Sequence, residues 1–188
     1  VDNSPDMLEI AMEKKAEDDQ DILYLLQDMR DFELYGTVRA VVSICDSMNY
    51  ITDPKELCQV FRLVNNYLDP QGIFIFDFNT EYKYREVLGN QVIAEDRDEC
   101  SFIWENYYNH TSMINEYELT LFVREDEEAS LYRKYQESHF QKAYTLREMR
   151  GLLEKAGLKF VAAYDAYTKK APMYTSERIT VIAREYGK

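Results

Sequence analysis

Val38-Arg39-Ala40-Val41-Val42-Ser43-Ile44, then Asp53-Pro54-Lys55-Glu56 with Leu57 to Leu68 behind it, then Asp69-Pro70-Gln71-Gly72-Ile73-Phe74-Ile75-Phe76: this run decides the fold. Val38, Ala40, Val41, Val42 and Ile44 are apolar at both odd and even positions. Successive side chains of a strand point to opposite faces, so the pattern predicts a strand buried on both, as in a parallel sheet. Asp53 and Glu56 have capping-box spacing. They open a helix in which Leu57, Val60, Phe61, Val64 and Leu68 recur at helical intervals. Asp69 to Gly72 reads as a turn, and Ile73 to Phe76 as a second buried strand. Strand, helix and strand in this order make a right-handed βαβ unit, so the fold class is α/β with a parallel sheet.

Upstream, Ser4 can cap a helix, Pro5 suits its first turn and Asp6 favours the positive end of its dipole. Met7, Leu8 and Ala11 are expected to share the face that packs on the sheet. An acidic stretch from Glu17 to Asp21 interrupts the pattern, and Ile22 to Leu26 reads as a short strand. Downstream the character changes near Gln91. Ser101 to Tyr108, Glu116 to Val123 and Leu131 to Gln141 are Tyr-rich and partly alternating, with Tyr117, Leu119, Leu121 and Val123 pointing one way. That is antiparallel sheet with one wet face, joined by an acidic turn from Glu125 to Glu128. Thr145-Leu146-Arg147-Glu148 is a capping box. Met149, Leu152, Leu153 and Ala156 form its helix's buried face, Gly157 ends that helix, and Leu158 to Ala163 and Ile179 to Ala183 are the last strands. Residues 1–90 and 142–188 therefore read as the core domain, and 91–141 as an inserted antiparallel β subdomain.

The 188 residues suffice for one domain with a small insertion. Apolar residues at 46% exclude general disorder. The formal net charge of −13 lacks the basic footprint of nonspecific nucleic-acid binding and disfavours anionic lipid. Cys45, Cys58 and Cys100 show no CxxC spacing and read as reduced thiols of a cytoplasmic protein. His110 and His139 are not a ligand-spaced pair, so no metal is expected. The first residues do not resemble a signal peptide, and no apolar run approaches the ~20 residues that span a bilayer.

There is no G-x-G-x-x-G, no P-loop motif and no convincing nucleophile–base spacing. A set of short segments carries a resemblance instead. Val1-Asp2-Asn3-Ser4-Pro5-Asp6-Met7-Leu8 resembles the end of the second strand in class I S-adenosylmethionine-dependent methyltransferases. Gln27-Asp28-Met29-Arg30-Asp31-Phe32 resembles their loop after the third strand, and Ser43-Ile44-Cys45-Asp46-Ser47-Met48-Asn49-Tyr50 the segment after the fourth. Asp69-Pro70-Gln71-Gly72 and the strand through Asn79 resemble their L-x-P-G-G signature, with Gln71 where the family has glycine; Gln is sterically tolerated there if φ is negative. His139-Phe140-Gln141-Lys142-Ala143-Tyr144-Thr145 resembles a segment of bacterial members that carry an inserted sheet.

The resemblance implies a Rossmann-like methyltransferase sheet, S-adenosyl-L-methionine as cofactor and methyl transfer to a small-molecule or peptide acceptor, by in-line displacement. It implies that Asp2 accepts from the ribose hydroxyls, that Met7 lies near the adenine, that Asp28 and Met29 meet the adenine edge, and that Cys45 and Asp46 flank the reactive sulfonium. Ser47, Asn49, Tyr50, Asn79, Trp104, Tyr108 and Gln141 are then acceptor-side candidates, and His139 a candidate proton acceptor. Apart from the resemblance, Asp2 reads equally as a solvated terminal residue, Met7, Trp104 and Tyr108 as core, and His139 as a hydrogen-bonded structural histidine.

The family's first strand and glycine-rich loop have no counterpart in these residues. A gap beside Val38, at the sheet centre, is the expected consequence. The last strand should run antiparallel between those at Ile73 and Leu158, and the inserted sheet should cap the carboxyl ends of the fourth and fifth strands. The expected partner is the acceptor alone, with neither nucleic acid nor membrane, in a monomer or homodimer. The sheet also permits a nicotinamide-dependent enzyme or a noncatalytic binding scaffold.

Overall fold

The computed structural model describes residues 1–18, 21–126 and 131–188. The acidic residues expected to break the first helix at 19–20, and those expected to turn the inserted sheet at 127–128, lie outside the described residues. Helix α1 spans Pro5–Asp18. Strand β1 (Val38–Ser43) leads into a single 3-10 turn at Ser47–Tyr50, helix α2 (Pro54–Tyr67) and strand β2 (Leu68–Asn79). Four strands of the inserted sheet follow: β3 (Val92–Glu95), β4 (Cys100–Asn109), β5 (Ile114–Asp126) and β6 (Leu131–Lys142). Helix α3 (Leu146–Lys155), β7 (Leu158–Asp165) and β8 (Arg178–Glu185) complete the order.

Two four-stranded sheets result, β1-β2-β8-β7 and β3-β4-β5-β6. In the first, β1 and β2 are parallel, with Val41 opposite Phe74. β8 runs antiparallel between β2 and β7, with Ile75 opposite Ile182, as the family topology implies. The core lies on one face of this sheet. Phe74, Phe76 and Phe78 are fully buried, two residues apart, and their rings run on from Phe61 of α2. Met149 and Leu153 of α3 are also fully buried in this core. Both helices start from side-chain caps: Asp53 accepts from the Lys55 N–H, and Thr145 and Glu148 form a complete capping box.

Three expectations fail for physical reasons. β1 is not buried on both faces: Ala40 and Val42 are exposed. The apolar run reads as buried, but its second face meets no helix among the described residues. Ile22 to Leu26 forms no strand. It contributes one parallel bridge, Leu26 with Asp2, and Leu23 and Leu26 are exposed. Among the described side chains of α1 only Leu8 is buried, while Met7 is exposed. Ser4 does cap that helix, its Oγ accepting from the Met7 N–H at 3.3 Å.

Gln71 adopts φ 65, not a negative φ. The turn at Asp69 to Gly72 survives as a bulge in which pairing with β1 slips between Val38 and Ala40. Left-handed backbone costs a side-chain-bearing residue about 1–2 kcal/mol, which is why glycine suits this position. The Gln71 N–H, turned by that φ, donates to Glu185 Oε2 at 2.9 Å. Gly72 is obligatory for another reason: a Cβ there would come 2.9 Å from the Asp69 carbonyl oxygen.

Candidate active site

At the carboxyl end of β1 the chain turns through two consecutive left-handed residues, Cys45 (φ 62) and Asp46 (φ 51). Such positions cost of order 1–3 kcal/mol each and persist only where the surroundings hold them. Asp77, buried on β2, does so. Its carboxylate accepts the Asp46 N–H at 2.7 Å and the Cys45 N–H at 3.4 Å. Two adjacent N–H groups in this conformation form an anion-binding concavity, filled here by the protein's own carboxylate.

The Asp46 side chain is a hub. Its Oδ1 accepts from Arg178 Nη2 at 2.6 Å and its Oδ2 from Gln141 Nε2 at 2.8 Å. Arg178 opens β8 opposite Asn79, which brings its Nη1 within 3.4 Å of both Asp77 oxygens. Burial favours loss of the guanidinium proton, but Asp46 and Asp77 outweigh burial, and Arg178 is held more firmly charged than usual. Thus β2, β6 and β8 meet at one residue, Asp46, just after β1.

Asn49 is fully buried and braces the same corner. Its Nδ2 donates to the Asn79 and Lys142 carbonyls at 2.9 and 2.8 Å, and its Oδ1 accepts the Asn79 N–H at 2.9 Å. An amide engaged at three points is spent on bracing the backbone. Ser47 Oγ donates to the Ile44 carbonyl at 3.0 Å. Asn79 offers its side-chain oxygen to Lys83 Nζ at 3.3 Å.

Above this corner lies the inward face of the inserted sheet. Tyr117 and His139 are cross-strand partners, and so are Asn115 and Gln141. The His139 ring stacks on Tyr117 with centroids 4.8 Å apart and meets the edge of Tyr50 at 5.8 Å. The Tyr50 and Tyr117 hydroxyls are 2.7 Å apart. His139 Nε2 lies 3.1 Å from Glu137 Oε2. Burial pushes both phenols up, with Asp46 and Glu137 adding to it, so Tyr50 and Tyr117 stay protonated and act as hydrogen-bond partners rather than bases. Trp104 meets the edge of Tyr117 at 5.7 Å. Tyr108 lies deeper, stacked on Tyr84 at 6.4 Å in a small separate core with Leu88 and Ala143. It supports this wall from behind.

The opposite wall faces a cavity of about 760 Å³. Asp2 and Gln27 exchange backbone contacts across the bridge: the Asp2 N–H donates to Leu25 O at 3.1 Å and the Gln27 N–H to Asp2 O at 2.9 Å. That pairing brings Asp2, Asp28 and Met29 to the cavity, with Ile44 and Met48 across from them. On its other side β1 carries no strand among the described residues, and the cavity runs along it. Asp2 Oδ1 accepts the Ser4 N–H at 2.8 Å. Asp28 is gripped by Arg30 through Nη2 at 2.6 Å, Nε at 3.0 Å and the backbone N–H at 2.8 Å, which holds its carboxyl below the usual range. Met7, Cys45 and Asp46 do not line the cavity. The cavity thus coincides with the gap expected beside Val38, and is lined by Asp2 and Asp28 as well as by the apolar residues of β1. Two carboxylates over an apolar floor suit the hydroxyl and amino donors of a nucleoside-bearing cofactor.

Sequence reading missed Arg178, Lys83 and the anchoring role of Asp77. The available signal was weak: one basic residue opening an apolar strand, and one carboxylate closing another.

No protein-family model matches the chain. A provisionally named methyltransferase of Geobacillus sp. (strain WCH70) is 30% identical over 185 residues, 98% of this chain and 74% of that protein. A second provisionally named methyltransferase, YqeM of Bacillus subtilis (strain 168), is 29% identical over 95% of this chain and 71% of its own length. Among solved structures, an S-adenosylmethionine-dependent methyltransferase from Clostridium acetobutylicum ATCC 824 superposes with a TM-score of 0.92 at 30% identity, over 99% of this chain and 74% of that one.

Proposed function

This chain belongs to the S-adenosylmethionine-dependent methyltransferases, and from that premise we propose that it methylates a small-molecule or peptide acceptor bound beneath the inserted sheet, in the cytoplasm. The three cysteines are unpaired, in keeping with a reducing compartment. Among the described residues no helix is long and apolar enough to cross a membrane. Asp2 receives the cofactor's ribose hydroxyls and Asp28 its adenine amino group, with Met29 against the ring. S-adenosylmethionine supplies a methyl group already activated for displacement, so the protein's part is positioning and the exclusion of water.

Tyr50, Gln141 and Trp104 orient the acceptor, and the Asp46 hub fixes the loop against which it lies. His139 takes the acceptor's proton at Nδ1, since Nε2 donates to Glu137, whose carboxylate then steadies the imidazolium. The observation that carries this reading is that one strand, β6, brings Gln141 to Asp46 and His139 to Tyr50. The inserted sheet is thereby tied to the loop after β1 at two successive inward positions.

Replacing His139→Gln tests it. If the ring accepts a proton, kcat falls at neutral pH while S-adenosylhomocysteine affinity is unchanged; if it orients the acceptor, KM for the acceptor rises. A variant with wild-type kcat and KM would return His139 to a structural role. The charge of −13 argues against polynucleotide as the acceptor. Tight, salt-sensitive binding to mixed RNA would contradict that.

A further inference from the structure

A second cavity, of about 340 Å³, is lined by Lys83 and Arg178 together with Asp165, Thr175, Ser176 and Glu177. Asp165 ends β7, Arg178 opens β8, and Lys83 follows the end of β2 by four residues. The cavity therefore lies at the same end of the sheet as the Asp46 hub.

The two cations that line it differ sharply. Arg178 is neutralised by Asp46 and Asp77. Lys83 is half-buried, and among the described residues it forms no ion pair. Among the described residues its ammonium makes one hydrogen bond, at 3.3 Å to Asn79 Oδ1. Nearby Arg85, in the same short π-helical segment (Lys83–Leu88), has both Glu81 at 2.9 Å and Glu86 at 2.7 Å. Burial makes the Lys83 ammonium easier to deprotonate, Arg178 pushes the same way, and the attraction of Asp46, Glu177 and Asp77 does not compensate. An ammonium has three donors to satisfy, and leaving a buried charge under-paired costs stability. The described fold gives Lys83 no close counter-charge, yet directs it into a cavity beside the proposed acceptor site.

We propose that Lys83 is an oxyanion-binding residue, and that a carboxylate or phosphate group of the acceptor docks in this cavity against its ammonium. The assignment of the ligand as acceptor rests on the methyl-transfer reading above. Lysine acts as a point charge rather than a bidentate fork, so either group satisfies it. Asp165 and Glu177 line the same space and repel a dianion more than a monoanion, which favours a carboxylate.

The test is an NMR titration of the Lys83 side-chain ammonium, assigned through Lys83→Arg, with sodium acetate, inorganic phosphate and, as control, sodium chloride. Acetate in the millimolar range should shift the Lys83 signals saturably and raise its pKa toward the ordinary lysine value, with phosphate binding more weakly. Lys83→Met should lose this binding and keep wild-type affinity for S-adenosylhomocysteine. Tighter binding of phosphate than acetate would uphold the oxyanion site and assign it to a phosphoryl group. Signals that move with acetate and phosphate no more than with chloride would overturn the proposal, as would undiminished acetate binding by Lys83→Met. Failure of the methyl-transfer reading is distinguishable: the wild type would then not bind S-adenosylhomocysteine, whatever the anion titration shows.

Discussion

The two walls of the site are built in opposite ways. The proposed acceptor-side wall is knitted from distant segments: Asp46 is held by Asp77, Gln141 and Arg178, separated from it by 31, 95 and 132 residues. The proposed cofactor-side wall is local. Asp2 leans on Ser4, two residues on, and Asp28 on Arg30, also two residues on. A wall made of long-range contacts is rigid but fails as a unit. A wall of short turns leaves its carboxylates partly exposed and available to a ligand, and contributes little to stability. On the proposed assignment, preorganisation belongs where the reacting groups must be aligned, and availability where an exchangeable cofactor is to be gripped.

The sharpest way to break this contrast is Asp77→Ala. It removes the buried acceptor of two strained N–H groups and leaves Arg178, partly buried, with Asp46 as its remaining partner. A loss of about 3–5 kcal/mol in chemical denaturation is expected, the range for breaking a buried charge pair, with methyl transfer lost alongside. A loss below 1 kcal/mol would mean that the left-handed turn at Cys45 and Asp46 holds itself.

Gln71→Gly separates strain that serves the site from strain that does not. Gln71 and Asp46 are both left-handed, at opposite ends of the β1–β2 pair. Relieving the far one should stabilise the protein by about 1 kcal/mol with kcat unchanged. A fall in kcat would show that the bulge communicates with the site.

How far the sequence was legible follows the same division. The βαβ unit was plain because Phe74, Phe76 and the helical spacing of Leu57, Val60, Phe61 and Val64 are local patterns, and local patterns are what periodicity reports. The capping box at Thr145 and the inserted sheet were legible for the same reason. Burial of Ala40 and Val42 was not, because it depends on what covers the other face of β1. The run Ile22 to Leu26 is as apolar as a strand yet finds one bridging partner. Asp2, Asp28, His139 and Gln141 could be named from short resembling segments. Arg178 could not, since its meaning comes from β8 lying beside β2, a pairing across about a hundred residues of chain. Asn49 was named, but its engagement as a brace is visible only once Lys142 and Asn79 are neighbours.

Asp28→Ala should change stability by less than about 1 kcal/mol, since the Asp28–Arg30 pair is solvent-accessible and local. Thermal denaturation measures this; a larger loss would make the cofactor-side wall as structural as the other.

The smallest effect concerns Lys83. Its folded-state pKa is lowered from 10.5, so the charged form is disfavoured in the folded protein. Below the folded pKa that penalty is fully present. It fades as pH rises from the folded pKa toward the unfolded value and is absent above it. Lys83→Met should therefore raise Tm at neutral pH, by an increment that shrinks as pH approaches 10.5. A stabilisation independent of pH would point to packing instead of charge.

The central claim is that the cavity between the Asp2–Leu26 bridge and β1 holds S-adenosylmethionine by carboxylates that the fold leaves available. Calorimetric titration with S-adenosylhomocysteine of the wild type, Asp2→Ala, Asp28→Ala and His139→Gln tests it most directly. The account predicts that the wild type binds, that each aspartate variant loses about 1.5–3 kcal/mol, tenfold or more in Kd, and that His139→Gln binds as the wild type does. Equal affinity across all four proteins would contradict it.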